Sequence, residues 1–295
     1  MAQTATTGNL ENASKIIIAA ARYTEEHNAP AMALIESFSL PKGAKQVTVP
    51  KVGQMTVSDL TDGQDIVDEE EIGMTTVDLT ASEVGAKVIL TDKLVREQQN
   101  NVFTIIGKQL GDAMARKKDT DVHALYSSLN GGSTLGGNSS KDLSLANLHG
   151  CIAYAKANKF GNQLYVLHHP NAIANLSKQV ATMASTTSGS EISSGWSADL
   201  LKNFWSGIRP LNNVQIFEDG NLSNTEGSGD DAVGVIADKS AMAVLNSVET
   251  RTERQRDASM RATEVVITSD YGVFELDDSK GAAMTYTAST VQHDA

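Results

Sequence analysis

The 295-residue chain has one cysteine, five prolines and only 5 % aromatic residues. The single Cys151 excludes an internal disulfide and a zinc site built on several cysteines. The longest apolar run near the start, 16–21, is far shorter than the roughly 20 residues that cross a bilayer. The first residues also lack the basic and then apolar pattern of a secretory signal. We therefore predict a protein that is made in the cytosol, has no membrane segment and is stabilised by burial.

The short motifs that mark common active sites are also missing. The sequence contains no HExxH, no GxSxG, no GxxxxGK[ST] and no GxGxxG. The glycine-rich segment 131–137 has no lysine in place and follows a helical pattern, so it predicts a loop. His168 and His169 are neighbours in a predicted strand, where they point to opposite faces and cannot chelate one ion together. We predict no enzymatic activity, no cofactor and no metal.

Positive charge is absent from a long stretch of an acidic chain. The net charge is −12, with 36 acidic and 24 basic residues, which disfavours a nucleic-acid-binding module because such binding depends on Lys and Arg. Between Val52 and Ala86 there is no Lys or Arg. The acidic residues in that stretch are Asp59, Asp62, Asp65, Asp68, Glu69, Glu70, Glu71, Asp78 and Glu83. The EF-hand spacing is absent, so we interpret them as a solvated or partner-facing surface and not as a calcium site.

This acidic stretch lies inside a predicted β-hairpin. Apolar and polar residues alternate in 45–52 and again in 75–90, which is the pattern of two strands. Pro50 has no N–H to donate, so its strand belongs at an edge. An isolated two-stranded ribbon is marginally stable in water, and we therefore expect another part of the assembly to support it.

The rest of the chain predicts an α+β fold. A long amphipathic helix runs from about 100 to 129, and Asn130, Gly131 and Gly132 end it. Alternating helices and strands between 141 and 245 predict a compact α/β lobe, whose first helix is capped by Ser144 and ends near Gly161. The strands after 246 must return to pack against the long helix, so the lobe interrupts a discontinuous domain.

One basic cluster stands out near the C-terminal strands. Arg251, Arg254, Arg256 and Arg261 fall within eleven residues. Two interpretations remain open: an ordinary charged face, or a surface that receives the acidic hairpin of a neighbouring copy. The candidate contacts between subunits are Asp65, Asp68, Glu69, Glu70, Glu71, Arg251, Arg254 and Arg256.

The order of these parts resembles the major capsid proteins of tailed bacteriophages, which share the Hong Kong 97-type fold. The segments that carry the resemblance are 84–132, 165–176, 234–245 and 262–276. The resemblance implies four regions: an N-terminal arm with a short helix (1–43), an extended β-hairpin loop (44–90), a peripheral domain with a spine helix (91–140 and 246–295) and an inserted α/β axial domain (141–245).

The resemblance also implies a function. The chain is expected to self-assemble, as hexamers and pentamers, into the icosahedral head shell that encloses the genome. Implied partners are a scaffolding protein and a portal, with a decoration protein as an optional addition, and packaged DNA by non-specific proximity only. Because the arm begins close to Met1, we expect scaffolding to come from a separate protein or from a segment already removed. The implied location is the virion, with the host cytoplasm during assembly.

Three other functions remain as alternatives. An encapsulin-type nanocompartment shell shares the fold but holds enzyme cargo. A hydrolase could assemble its active site from residues that form no local motif, although the absence of the common active-site motifs counts against it. A β-rich surface adhesin is disfavoured because the chain has no secretion signal.

Overall fold

The computed structural model describes residues 30–52, 59, 73–97, 102–136, 141–185, 214–224 and 230–289. The helices are α1 (Ala31–Leu34), α2 (Asp92–Glu97), α3 (Val102–His123), α4 (Leu145–Ala157) and α5 (Pro170–Ser185). The strands are β1 (Glu36–Ser39), β2 (Gln46–Val52), β3 (Met74–Thr80), β4 (Ser82–Thr91), β5 (Leu164–His168), β6 (Gln215–Glu218), β7 (Asp231–Asp238), β8 (Met242–Asp257), β9 (Ala262–Glu275) and β10 (Gly281–Thr287). Together they form a mixed α+β fold with three sheets.

The predicted hairpin is present as a separate two-stranded sheet. β2 and β3 pair antiparallel in unbroken register from Gln46↔Thr80 to Val52↔Met74. Pro50 lies in this ribbon, where either strand is an edge. The predicted second strand, however, is two strands. β3 ends at Thr80, and β4 begins at Ser82 and pairs with β9 instead of β2.

The first large sheet has the strand order β1-β8-β9-β4. β8 and β9 form a long antiparallel ribbon, and β1 runs parallel to the first residues of β8. One face of this sheet packs against the spine helix α3, whose Leu110, Met114 and Val122 are buried. From β9, Val265 and Ile267 join the same apolar cluster. The helical stripe predicted from the sequence therefore covers the sheet formed by the returning strands.

The spine helix ends at His123, six residues before the predicted end at Leu129. The following residues form tighter turns, with Leu125 N–H donating to the Val122 carbonyl over 3.1 Å. The hydroxyl of Ser128 also donates to the Leu125 carbonyl at 2.8 Å. Backbone hydrogen bonds that span three residues instead of four form tighter turns than an α-helix, so the α-helix ends where they begin.

The second large sheet has the order β10-β7-β5-β6. Helices α4 and α5 pack on it through a separate apolar cluster that includes Leu148, Ile152 and Leu176. The helix α4 begins as predicted, because the Ser144 side chain accepts a hydrogen bond from the Asn147 N–H at 3.1 Å. The lobe predicted between 141 and 245 thus corresponds to a sheet with helices, but the sheet takes one strand from outside that range.

That strand is β10, which the sequence interpretation assigned to the same unit as the spine helix. It pairs antiparallel with β7 along its whole length, from Gly281↔Ala237 to Thr287↔Asp231. Its buried Met284 and Tyr286 lie in the cluster under α4 and α5. The boundary at 246 is therefore wrong for this strand. Small apolar residues in 281–284 provide the fully buried, non-alternating pattern of a strand covered on both faces.

Candidate intersubunit surface

Three of the four clustered arginines, Arg251, Arg254 and Arg256, are the candidate contacts, and all three lie on the exposed outer part of β8. β8 pairs residue by residue with β9 from Arg251↔Thr268 to Asp257↔Ala262. Alternate residues of a strand point to opposite faces, so Arg251 lies on the face opposite to Arg254 and Arg256. The cluster that is dense in sequence is therefore divided between two surfaces.

Arg256 has a partner in its own chain. Its guanidinium forms two hydrogen bonds with the carboxylate of Asp92 at the start of α2, and the one from Nη2 to Oδ2 is 2.6 Å long. This hydrogen bonding and the opposite charge lower the pKa of Asp92. The pair is bidentate, which is the strongest geometry that an arginine offers a carboxylate. The charge of Arg256 is thus largely neutralised within one subunit.

The other arginines differ from Arg256 in their surroundings. The Nε atom of Arg251 lies 3.5 Å from Oε1 of Glu253 and donates a hydrogen bond to the Thr268 hydroxyl at 3.4 Å. Arg254 is exposed and lies opposite Val265 of β9. The acidic candidates Asp65, Asp68, Glu69, Glu70 and Glu71 fall outside the described residues. The pairing of this acidic segment with the arginines therefore stays a prediction.

An ion pair ties the hairpin to the body near the far end of its described part, where Lys51 lies beside Val52. Lys51 Nζ donates to Asp277 Oδ1 over 2.5 Å, and the Ser279 hydroxyl donates to the same oxygen at 2.6 Å. Burial alone would raise the pKa of Asp277, but these hydrogen bonds and the Lys51 charge lower it. One side of the β2 strand is therefore held electrostatically against the loop that precedes β10.

Apolar contact fixes β3 at the base of the hairpin, which is the end opposite to Lys51. Leu79 of β3 is fully buried, and the Thr80 carbonyl lies so close to Gly272 that no Cβ could fit at that position. Towards the far end, Val52 and Met74 face each other across the ribbon and are 56 % and 60 % exposed. The described part of the hairpin thus has its apolar anchor at the base, whereas its far end has one ion pair beside two exposed apolar side chains.

Sequence reasoning missed a buried polar cluster at the end of the spine helix. Asp119 and His123 lie one turn apart on α3, and Asp219 follows β6 about a hundred residues later. His123 Nε2 is 3.1 Å from Asp219 Oδ2 and 3.4 Å from Asp119 Oδ2. The spacing of an aspartate and a histidine four apart on one helix face was a readable signal. The contribution of Asp219 could not be predicted from the sequence, because only the fold brings this residue close to His123.

Cys151 and His168, two residues that could suggest catalysis, are buried. Burial raises the pKa of the Cys151 thiol, which lies 3.3 Å from the Tyr286 hydroxyl. Burial also lowers the pKa of His168 to about 4, so that this ring is neutral near neutral pH. A buried thiol and a buried neutral imidazole are typical of core residues. No helix in the described ranges combines the length and the apolar character that a membrane crossing requires.

Comparison with known proteins agrees with this fold. The model of the family described as phage capsid protein matches residues 74–285. The head structure of Helicobacter pylori bacteriophage KHP40 superimposes with a TM-score of 0.65 at 11 % identity, covering 86 % of this chain and 88 % of that one. The capsid of Ralstonia phage GP4 gives 0.63 at 13 % identity, with 88 % and 89 % covered. Mycobacterium phage Che8 gives 0.61 at 18 %, with 82 % and 84 % covered. No curated protein sequence matches the chain.

The fold is that of a tailed-phage capsid protein of the Hong Kong 97 type. The family match covers most of the chain, and the chain therefore belongs to the phage capsid protein family. It is a major capsid protein, a structural component of the head shell of the virion. The match to phage capsids favours this function over the encapsulin-type alternative.

Proposed function

We propose that the β2–β3 hairpin is the element through which one subunit of the shell holds its neighbour. The observation that carries the proposal is the contrast between its two ends. At the base, Leu79 is fully buried, whereas the far end has one ion pair to the body, from Lys51 to Asp277. At the far end, Val52 and Met74 are exposed. A two-stranded ribbon gains little stability alone, so an adjacent copy that covers these side chains would stabilise it.

The proposed contact has an electrostatic part. The acidic residues Asp65, Asp68, Glu69, Glu70 and Glu71 of one copy would meet the arginines on β8 of another. Arg256 is a weak candidate, because Asp92 already holds its guanidinium in a bidentate pair within the same subunit. Since Arg251 and Arg254 lie on opposite faces, an incoming hairpin would contact one of them and not both.

We further propose how the parts of the fold divide the work. Residues 1–43 form the arm and 44–90 contain the extended loop. The first large sheet with α3 forms the peripheral domain, and the second large sheet with α4, α5 and β10 forms the axial domain. Assembly would proceed in the host cytoplasm with a scaffolding protein and a portal, with a decoration protein as a possible addition. The chain would have no enzymatic activity of its own.

Deletion of residues 55–73 tests the role of the hairpin. Val52 and Met74 are directly paired, so the deletion leaves Gly53 and Gln54 as a two-residue loop, with glycine where such a turn favours it. We expect soluble, folded subunits that do not close into shells under electron microscopy. Normal particles from this variant would refute the proposed role.

A charge exchange tests the electrostatic part. Reversal of Arg251 and Arg254 to Glu should block shell closure. A variant that also carries Lys at the five acidic positions should assemble again, because the two surfaces are then complementary with the charges exchanged. Arg256→Gln serves as the control, because it removes a pair made within one chain. Unchanged assembly of the variant with Arg251 and Arg254 reversed would refute the proposed charge pairing. The role of the hairpin itself would still be tested by the deletion of 55–73.

A further inference from the structure

The buried cluster at the end of the spine helix joins three separate parts of the chain. Asp119 Oδ1 accepts a hydrogen bond from the Ala31 N–H at 3.0 Å, so the helix holds the first described residues. Asp219 lies in the loop after β6, in the second large sheet. Asn221 connects the two carboxylates: its backbone N–H donates to Asp219 Oδ1 at 2.8 Å and its side chain donates to Asp119 Oδ2 at 3.1 Å.

We propose that Asp119, His123 and Asp219 form a proton-dependent latch that fastens the start of α1 and the loop after β6 to the spine helix, and that loosens as the pH rises towards neutrality. The proposal goes beyond shell formation and does not depend on it. It requires only that the two carboxylates share one proton when the latch is closed.

The need for a proton follows from the geometry. Asp119 and Asp219 are both fully buried, and their inward Oδ2 atoms both lie close to His123 Nε2. Two ionised carboxylates in such a site repel each other and lack water, so one of them holds a proton. Burial and the neighbouring Asp219 raise the pKa of Asp119 to about 7. Although burial opposes it, hydrogen bonding from His123 and Asp119 lowers the pKa of Asp219.

His123 lies between the two carboxylates. Its side chain is only 8 % exposed, and Nδ1 has no hydrogen-bond partner among the described residues. Nε2 is the ring atom close to both inward carboxylate oxygens, so His123 joins the helix to the loop after β6 through this one nitrogen.

The two tyrosines beside the cluster do not change charge near neutral pH. Tyr126 follows α3, and burial raises its pKa well above the ordinary value. Tyr165 on β5 faces Tyr126, and burial raises its pKa too. The helix α1, which supplies the Ala31 N–H, has no titratable side chain between Ala31 and Leu34. Asp119, His123 and Asp219 are thus the groups to vary.

The direction of the pH effect follows from proton linkage. An aspartate in the open state has a pKa near ~4, whereas closed Asp119 titrates at about 7, so the closed latch binds the extra proton. Its stability therefore falls as the pH rises from about 4 to about 7 and is constant above. Asp219, with its lowered pKa, acts in the opposite sense below that window. The latch is most stable on the acid side of neutrality.

Hydrogen exchange of the full-length protein tests the latch. Opening should be measured at the amides of residues 31–34 between pH 5 and 8, with each variant kept in the same assembly state. The reference is Asp119→Asn, whose amide can accept from Ala31 and donate to Asp219 without titrating. Relative to this variant, the opening constant of the unmodified protein should rise about tenfold per pH unit up to about 7 and then stay level.

Three controls separate the latch from other causes. Asp121→Asn, on the same helix but bonded to Lys117 and Tyr271, should keep the full pH dependence. His123→Gln should keep most of it, because the carboxylates remain. A chelator should not change it. The proposal is overturned if Asp119→Asn shows the same slope as the unmodified protein, if His123→Gln removes the slope, or if the chelator abolishes it.

Discussion

Arg256 and Asp92 join the outer part of β8 to the first turn of α2 through two parallel hydrogen bonds. The two residues are 164 positions apart in the sequence, so only the fold reveals the pair. Its presence means that a run of arginines does not supply one uniform basic surface. Arg256 is held within its own subunit and is therefore poorly placed to contact another.

We expect Arg256→Gln to lower the thermal unfolding midpoint of the subunit more than Arg251→Gln. The first change breaks a bidentate pair within the chain, and the second affects a side chain that contacts Glu253 at 3.5 Å. High salt should reduce the difference, because it screens exposed charges. Equal midpoints at low salt would show that the pair contributes nothing to stability.

Lys51→Met should weaken the attachment of the hairpin in a pH-dependent way. The pKa of Asp277 is lowered in the folded protein, so its ionised form adds stability above pH ~4 that is lost as the pH falls through the lowered value. The variant should therefore be less stable than the unmodified protein at pH 7, and the gap should narrow in acid. Urea unfolding at several pH values measures this. Lys45→Met, just before β2, is the matched control and should show no such pH dependence.

Gly111→Ala should raise the free energy of unfolding by about 1 kcal/mol, since alanine favours a helix over glycine by that amount. A Cβ at this position in α3 meets no other atom within 4 Å. Gly272→Ala should have the opposite effect, because its Cβ would collide with the Thr80 carbonyl and the Phe274 ring. Denaturant titration of both variants checks the pair, and a stabilised Gly272→Ala would contradict the close packing at the hairpin base.

Cys151 should resist thiol reagents in the folded protein. The side chain is buried, and burial raises the pKa of the thiol, so little reactive thiolate is present. We expect labelling at a rate set by unfolding and rapid labelling in denaturant. Fast reaction with the native protein at neutral pH would show that this part of the second sheet opens more readily than its packing suggests.

Local patterns in the sequence were enough to predict several elements. The alternation on either side of the acidic segment predicted the β2–β3 hairpin, and the apolar stripe predicted the spine helix. Ser144 predicted the start of α4, because an N-cap depends only on its neighbours in the chain. These features share one property: the interactions that form them lie within a few residues or within one ribbon.

The features that were missed depend on distant contacts. The alternation continues through Ala81, so nothing local shows that β3 ends and β4 turns to pair with β9. The sheet that β10 joins could not be chosen from its composition. The link between His123 and Asp219 spans 96 positions, and only the folded chain brings these side chains together.

The pairing of β10 with β7 has a practical consequence for dissecting this protein. A fragment cut at 141 and 245 would leave Ile236 and its neighbours facing solvent where Ala282 and Met284 should lie. Such a fragment would expose a bare, aggregation-prone strand edge. A design that grafts a cargo or an epitope onto this lobe must therefore include β10, for instance by fusing 281–289 through a short linker. Without β10, the edge of β7 is left unpaired.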